Sequence, residues 1–150
     1  IDDKVTIIPN YVDTNMFRPL DVPKSFDLVF VGRVSQQKNL HSLLTAIRDS
    51  SYTLAIVGDG DLRELLQSEF SDLSAQVRWM GSISHSHLPG IINQGRVFIL
   101  PSHYEGHPKS LIEAMACGVP VIGTEVRGIK QLLIHETTGY LCKTDANSIR

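Results

Sequence analysis

Asp27-Leu28-Val29-Phe30-Val31-Gly32-Arg33-Val34-Ser35-Gln36-Gln37-Lys38-Asn39 reads as an apolar strand that stops at a glycine, a polar turn, and a helical pattern that opens at Asn39. From Leu28 to Val31 apolar and polar residues do not alternate. A strand with one face in water alternates, so an unbroken apolar run points to burial on both faces, as in a parallel sheet covered by helices. The same grammar recurs along the chain. Strand-like runs lie at 53–57, 77–80, 97–100, 119–123 and 140–142, with helical patterns at 39–48, 62–73, 88–93, 109–117 and 129–134. A further strand-like run at 4–8 leads into an irregular stretch at 10–24, bracketed by Pro9, Pro19 and Pro23. Alternating strands and helices with short, right-handed connections predict an α/β fold. It is a Rossmann-like doubly wound parallel sheet in a three-layer α/β/α sandwich.

The 150 residues suffice for one domain, 1–150, with 1–24 as its lead-in. A formal net charge of -2 offers no basic field for nucleic acid or an anionic bilayer. No apolar run is long enough to span a membrane. Cys117 and Cys142 sit in apolar contexts, which favours two buried thiols in a cytoplasmic protein over a bridge. The chain opens at Ile1 without Met and stops at Arg150, just after Asp145 offers an N-cap to a barely begun helix. It reads as one domain cut from a larger protein.

In an open α/β sheet, ligands bind beyond the carboxyl ends of the strands. The polar turns gather there: Gly32 to Asn39, Gly58-Asp59-Gly60, Gly81-Ser82, Pro101 to Pro108, and Thr124 to Gly128. Arg33 and Lys38 flank the start of the first helix, where two cations form either an anion site or a solvated pair. Gly32, Gly58 and Gly60 suit a ligand that approaches the backbone closely, although Gly58-Asp59-Gly60 lacks the third glycine of the dinucleotide fingerprint and also fits a plain turn. Lys109 and Ser110 supply helix N-terminal donors behind Pro108. Glu105 lies in a loop, and Glu113 interrupts an otherwise apolar helix. A carboxylate on a packing face is costly without a partner. Glu113 therefore meets water at a helix edge, or both acids meet a polyhydroxyl ligand. The pairs His85/His87 and His103/His107 lack nearby cysteines and do not fit the helical metal-binding spacing. No Gly-x-Ser-x-Gly elbow occurs, Trp79 fits a core strand, and no basic stripe is interleaved with aromatics.

Several motifs occur in order: Ile8-Pro9-Asn10-Tyr11-Val12-Asp13 with Phe17, Val31-Gly32-Arg33 with Lys38, Val57-Gly58-Asp59-Gly60, Gly81, Leu100-Pro101-Ser102, Glu105 with Glu113-Ala114-Met115-Ala116-Cys117-Gly118-Val119-Pro120, and Gly139-Tyr140-Leu141. Together they resemble the C-terminal, donor-binding domain of retaining glycosyltransferases of the two-Rossmann-domain (GT-B) architecture, in the glycosyl transferases group 1 family. The resemblance implies transfer of a sugar from a nucleoside-diphosphate sugar to a hydroxyl acceptor with retention of configuration, in polysaccharide, lipopolysaccharide or glycolipid biosynthesis. Arg33 and Lys38 would bind the diphosphate and Glu105 the donor sugar, these three forming the catalytic set. Gly106, His107, Lys109 and Ser110 would contact sugar and phosphate, Met80 and Ile83 would frame the nucleobase, and Glu113 would accept from the ribose hydroxyls. No cofactor and no metal is implied. The implied partners are the nucleotide sugar, an N-terminal acceptor domain, and a sugar, glycan or lipid-linked acceptor, with no nucleic acid. The implied location is cytoplasmic, with peripheral association of the full-length protein at the inner membrane face. His107 stands where the family often has Phe, Gln131 where a glutamate is common, and Tyr11 where glycine is frequent.

Rival readings keep the architecture and change the chemistry. A phosphorylase would need a lysine bound to pyridoxal phosphate. A sugar-nucleotide epimerase shares the two-domain plan, and a non-catalytic nucleotide module would bind nucleoside diphosphate without a working sugar site. A dinucleotide dehydrogenase lacks its glycine fingerprint. On the leading reading, this chain alone binds nucleotide weakly and does not transfer sugar.

Overall fold

The computed structural model describes residue 6 and residues 8–150. Six strands form one sheet: β1 (Phe26–Val31), β2 (Leu54–Val57), β3 (Val77–Gly81), β4 (Gly95–Leu100), β5 (Val121–Thr124) and β6 (Tyr140–Cys142). Their order is β3-β2-β1-β4-β5-β6 and every pairing is parallel. The helices are α1 (Leu40–Ile47), α2 (Arg63–Glu69), α3 (Leu88–Asn93), α4 (Lys109–Ala116), α5 (Arg127–Lys130) and α6 (Ala146–Ile149). α1 packs against α6, and α3 against α4. The predicted doubly wound parallel sheet is therefore present.

The apolar runs explain the sheet. Val29 and Phe30 of β1, all four residues of β2, and Phe98, Ile99 and Leu100 of β4 are buried. β3 lies at the edge, so Trp79 and Met80 are only half-buried against the core. β1 and β4 lie side by side at the centre, with Leu28 opposite Val97 and Val29 opposite Phe98. The chain leaves β1 toward β2 and leaves β4 toward β5. Connections departing in opposite directions open a crevice at the carboxyl ends of these two strands.

Some predicted elements shift. The stretch 62–73 divides into α2 and a 3-10 turn at Ser71–Leu73, because Phe70 leaves helical geometry (φ -109°, ψ 34°) to enter the core. There the Arg48 guanidinium lies 4.6 Å over its ring. The helix expected at 129–134 begins at Arg127 and ends at Lys130. The strand expected at 119–123 starts at Val121, and the Pro120 carbonyl accepts from Phe98 N. Of the strand expected at 4–8, residues 4, 5 and 7 lie outside the described residues, and Thr6 and Ile8 are in neither helix nor strand.

Residues 10–24 contain turns but no helix or strand. They are anchored by buried Phe17 and by the Asn93 side chain, which accepts from Leu20 N (2.9 Å) and donates to the Arg18 carbonyl (3.0 Å). Asp145 caps α6 by accepting from Ser148 N at 3.1 Å. Cys117 and Cys142 are both free, the first buried and the second half-buried. Burial pushes both thiols up, Cys142 to about 11 with help from Asp145 and Glu125. No helix among the described residues is long and apolar enough to cross a membrane.

Gly58 combines a left-handed φ of +128° with close contact to the β1 loop, since a Cβ there would overlap the Gly32 carbonyl. Gly90, inside α3, has nothing within 4 Å of a Cβ. In urea unfolding, Gly58→Ala should lower stability by about 2 kcal/mol or more. Gly90→Ala should instead raise it by about 0.5 kcal/mol through reduced chain entropy.

Candidate functional site

The crevice between β1 and β4 is closed from below by side chains that tie the two loops together. After β1 the chain makes a 3-10 turn at Gln36–Lys38 and enters α1 through Asn39, a buried residue at φ 54°. Asparagine tolerates this left-handed conformation better than most residues. Its Nδ2 donates to the carbonyls of Pro101 (3.0 Å), in the loop after β4, and Thr144 (2.8 Å), after β6. Two further bonds run between the same loops: His103 N to the Gln37 carbonyl (2.8 Å), and Gln37 Nε2 to the Tyr104 carbonyl (3.0 Å).

These straps bring Lys38 to Glu105. Lys38 Nζ donates to Glu105 Oε1 at 2.6 Å, and Ser102 Oγ donates to the same oxygen at 2.6 Å. The two charged side chains are 15% and 6% exposed. Charges so far from water persist only when each is paired and hydrogen-bonded. Behind this loop, Thr124 at the end of β5 donates its hydroxyl to the Ser102 carbonyl. Gly128 also presses on it, where a Cβ would overlap the carbonyls of Glu105 and Gly106.

The second carboxylate has a separate partner. Glu113 on α4 is buried, and its Oε1 accepts from His85 Nε2 at 2.8 Å. His85 lies in the 3-10 turn after β3, with its ring 5.0 Å from that of Phe17. The apolar helix thus carries an acid that faces a partner, as the sequence required, but the partner present is an imidazole.

A cavity of about 280 Å³ lies at the carboxyl ends of β1, β2 and β3, lined by residues that include Gly32, Arg33, Gly58, Ser82, Ile83 and Leu88. Arg33 is 74% exposed on this rim and lies 4.0 Å from Asp61. Arg33 and Lys38 therefore do not share one contact: Lys38 is already neutralised by Glu105, while Arg33 leaves its guanidinium to solvent. Two of the glycines also have a packing reason. Gly58 and Gly60 lack side chains because backbone occupies that space, the Gly32 carbonyl in one case and the Val34 carbonyl in the other. Gly58 still borders the cavity, whereas Gly60 does not.

Met80 is half-buried against the core rather than on the cavity wall. Gly106 follows Glu105 in the loop. His107 holds a buried Nδ1 with no hydrogen-bond partner, while its carbonyl accepts from Asn10 Nδ2 at 2.6 Å. Lys109 and Ser110 form the first turn of α4, whose amides have no side-chain cap. Open amides at a helix start favour an anion. Cation, open amides and paired carboxylates at one sheet edge suit a ligand that is both anionic and rich in hydroxyls. Among the described residues, no three His, Cys, Asp or Glu side chains gather as a metal site. A second hollow, of about 270 Å³, lies at the amino-terminal side of the strands between Asp27, Arg96 and aliphatic residues of α1 and α6, away from these groups.

Sequence reading did not find Asn39, Ser102 or His85 as site residues. Glycine at 128 was visible as part of a turn, but its role behind Glu105 was not. His85 is 28 residues from Glu113, and no local pattern links them.

The chain matches the glycosyl transferases group 1 family over residues 12–149. It is 27% identical over 151 residues to glycogen synthase from Mycobacterium tuberculosis, covering 93% of this chain and 36% of that protein. It is 31% identical over 160 residues to the UDP-Gal:alpha-D-GlcNAc-diphosphoundecaprenol alpha-1,3-galactosyltransferase of Escherichia coli, covering 92% of this chain and 41% of that protein. The chain thus spans well under half the length of these relatives. Its fold matches the C-terminal domain of a glycosyl transferase group 1 family protein from Francisella tularensis with a TM-score of 0.80 at 21% identity, covering 93% of this chain and 84% of that one.

The Lys38–Glu105 pair generates a double-mutant test. Lys38→Met and Glu105→Gln should each lower unfolding free energy by about 3 kcal/mol, because each strands the other group. The double variant should cost clearly less than the sum, as measured by urea unfolding. Strict additivity would show that the two groups act independently.

Proposed function

Because the chain belongs to the glycosyl transferases group 1 family and has the fold of that family's C-terminal domain, we propose that it is the donor-binding half of a retaining glycosyltransferase. On this reading, a nucleoside-diphosphate sugar lies across the crevice at the carboxyl ends of β1 and β4. The reaction moves its sugar to a hydroxyl of a sugar, glycan or lipid-linked acceptor held by a second domain. The name of the Escherichia coli relative, which carries UDP-Gal, supports a nucleotide sugar as donor.

One observation carries the reading. The contact between Lys38 and Glu105 sets a cation beside a carboxylate at the switch point of the sheet. The cation is complementary to a diphosphate and the carboxylate to sugar hydroxyls. An arriving donor offers each group a replacement partner, so the pair opens without leaving a charge stranded. Arg33, already exposed on the rim, meets the same diphosphate from the other side. The uncapped first turn of α4 adds backbone donors and the positive end of its dipole. When the glycosidic bond to the diphosphate breaks, negative charge grows on the departing phosphate oxygen. Arg33, Lys38 and these amides are in place before that charge appears, which lowers the barrier electrostatically. Glu105, bonded through Ser102 and Lys38, orients the sugar rather than acting as an acid or base. The cavity wall at Ser82 and Ile83 receives the nucleobase, and Glu113 receives the ribose.

A thermal-shift screen with UDP-, GDP- and ADP-sugars and the matching nucleoside diphosphates tests the proposal. One base series should raise the midpoint, since a ligand that binds only the native state stabilises it. Arg33→Ala should weaken both nucleotide sugar and nucleoside diphosphate, by roughly tenfold or more for one lost charge-assisted contact. Glu105→Ala should remove the advantage of the sugar-bearing ligand over the bare diphosphate. Absence of a shift with every nucleotide at millimolar concentration would sink the reading.

A further inference from the structure

We propose that His85 is a positioning residue of the ribose subsite, setting the preference for nucleotides that carry both ribose hydroxyls. The inference rests on the donor-site reading above and extends it to a residue outside the sequence motifs.

Three observations carry it. First, a histidine meets the Glu113 carboxylate, and no lysine or arginine forms a salt bridge with it among the described residues. A carboxylate oxygen accepts, so His85 Nε2 donates across the 2.8 Å contact and holds the carboxylate plane. Second, only one carboxylate oxygen is used. Oε2 has no hydrogen-bond partner among the described residues, and it is not one of the buried atoms left unpartnered. It is therefore not sealed from solvent, although Glu113 as a whole is buried. A carboxylate held through one oxygen and open through the other is set to receive hydroxyl donors. Third, His85 is itself held. Its ring lies against Phe17, which is 1% exposed, at 5.0 Å and a tilt of 54°.

The pair is a poor stabilising device. The Glu113 side chain is only 10% exposed while that of His85 is 61% exposed, so the carboxylate gives up water for a partner that itself stays in water. An aliphatic residue at 113 would pack more cheaply in α4. The geometry instead resembles the support given to functional ligands elsewhere, where a second group locks the orientation of the first. Two vicinal ribose hydroxyls require a carboxylate in a set plane, whereas a single hydroxyl accepts many orientations. Loss of His85 should therefore harm recognition of the complete ribose more than recognition of its 2′-deoxy form.

Calorimetry with uridine, guanosine and adenosine diphosphates and their 2′-deoxy forms provides the test, on the unaltered chain and on His85→Ala, His85→Gln and Glu113→Gln. The unaltered chain should prefer one ribonucleotide to its deoxy form. His85→Ala should shrink that preference about tenfold, the lower end for one charge-assisted hydrogen bond. His85→Gln, which restores an N–H donor, should recover most of it. The thermal midpoint of His85→Gln should stay close to the original, which separates positioning from folding. If His85→Ala keeps the preference while Glu113→Gln removes it, the role of His85 is refuted and the ribose site stands. If Glu113→Gln also keeps it, the ribose assignment falls together with the inference. If no diphosphate binds at all, the donor-site reading falls, and this inference falls with it.

Discussion

An ammonium and a carboxylate with little access to water cannot stand apart, and this constraint holds the crevice in shape. Lys38 and Glu105 belong to loops that leave the two central strands in opposite directions. The bond between them adds a charged tie to the neutral ones that also join those loops. Ser102, Asn39 and Gln37 supply neutral hydrogen bonds around the pair, and Gly128 lets α5 approach from behind. The result is a pair of loops tied together at the carboxyl ends of β1 and β4, next to the cavity that Arg33 rims.

The two glutamates are held in different ways, and the difference separates their uses. Glu105 is bonded by a lysine and a serine to one of its oxygens, in a loop tied on several sides. Glu113 is bonded by a single exposed histidine and keeps one oxygen that is not sealed from solvent. The first arrangement couples a carboxylate to a phosphate-binding cation, so that a ligand must address both. The second holds a carboxylate in orientation while leaving it free to accept.

Much of the site was readable because its residues conflict with their local setting. Glu113 in an apolar helix, Arg33 and Lys38 beside a helix start, and Glu105 in a turn after Phe98-Ile99-Leu100 all ask for partners that local sequence does not supply. The identity of those partners was not readable. Lys38 and Glu105 are 67 residues apart, and His85 approaches Glu113 only because the turn after β3 folds over α4. Gly58 also has a structural reason that the sequence did not show. A glycine that admits a ligand and a glycine that admits a neighbouring backbone look alike in sequence, and only the position of the Gly32 carbonyl tells them apart. Phe70 likewise looked helical until the core claimed its ring.

Sequence alone determined the layered parallel sheet, because strands such as Leu28-Val29-Phe30-Val31 are too apolar to face water on either side, and the turns between them place the polar residues at one edge. Tertiary structure decided which strands became neighbours, and so which turns met. Putting β1 next to β4 joined Lys38 to Glu105, and carrying the chain from β3 across to β4 brought His85 onto Glu113. Apolar periodicity is a local property that a few residues can state. The pairing of buried charges depends on the whole path of the chain, since only the completed fold removes the water that would otherwise satisfy them.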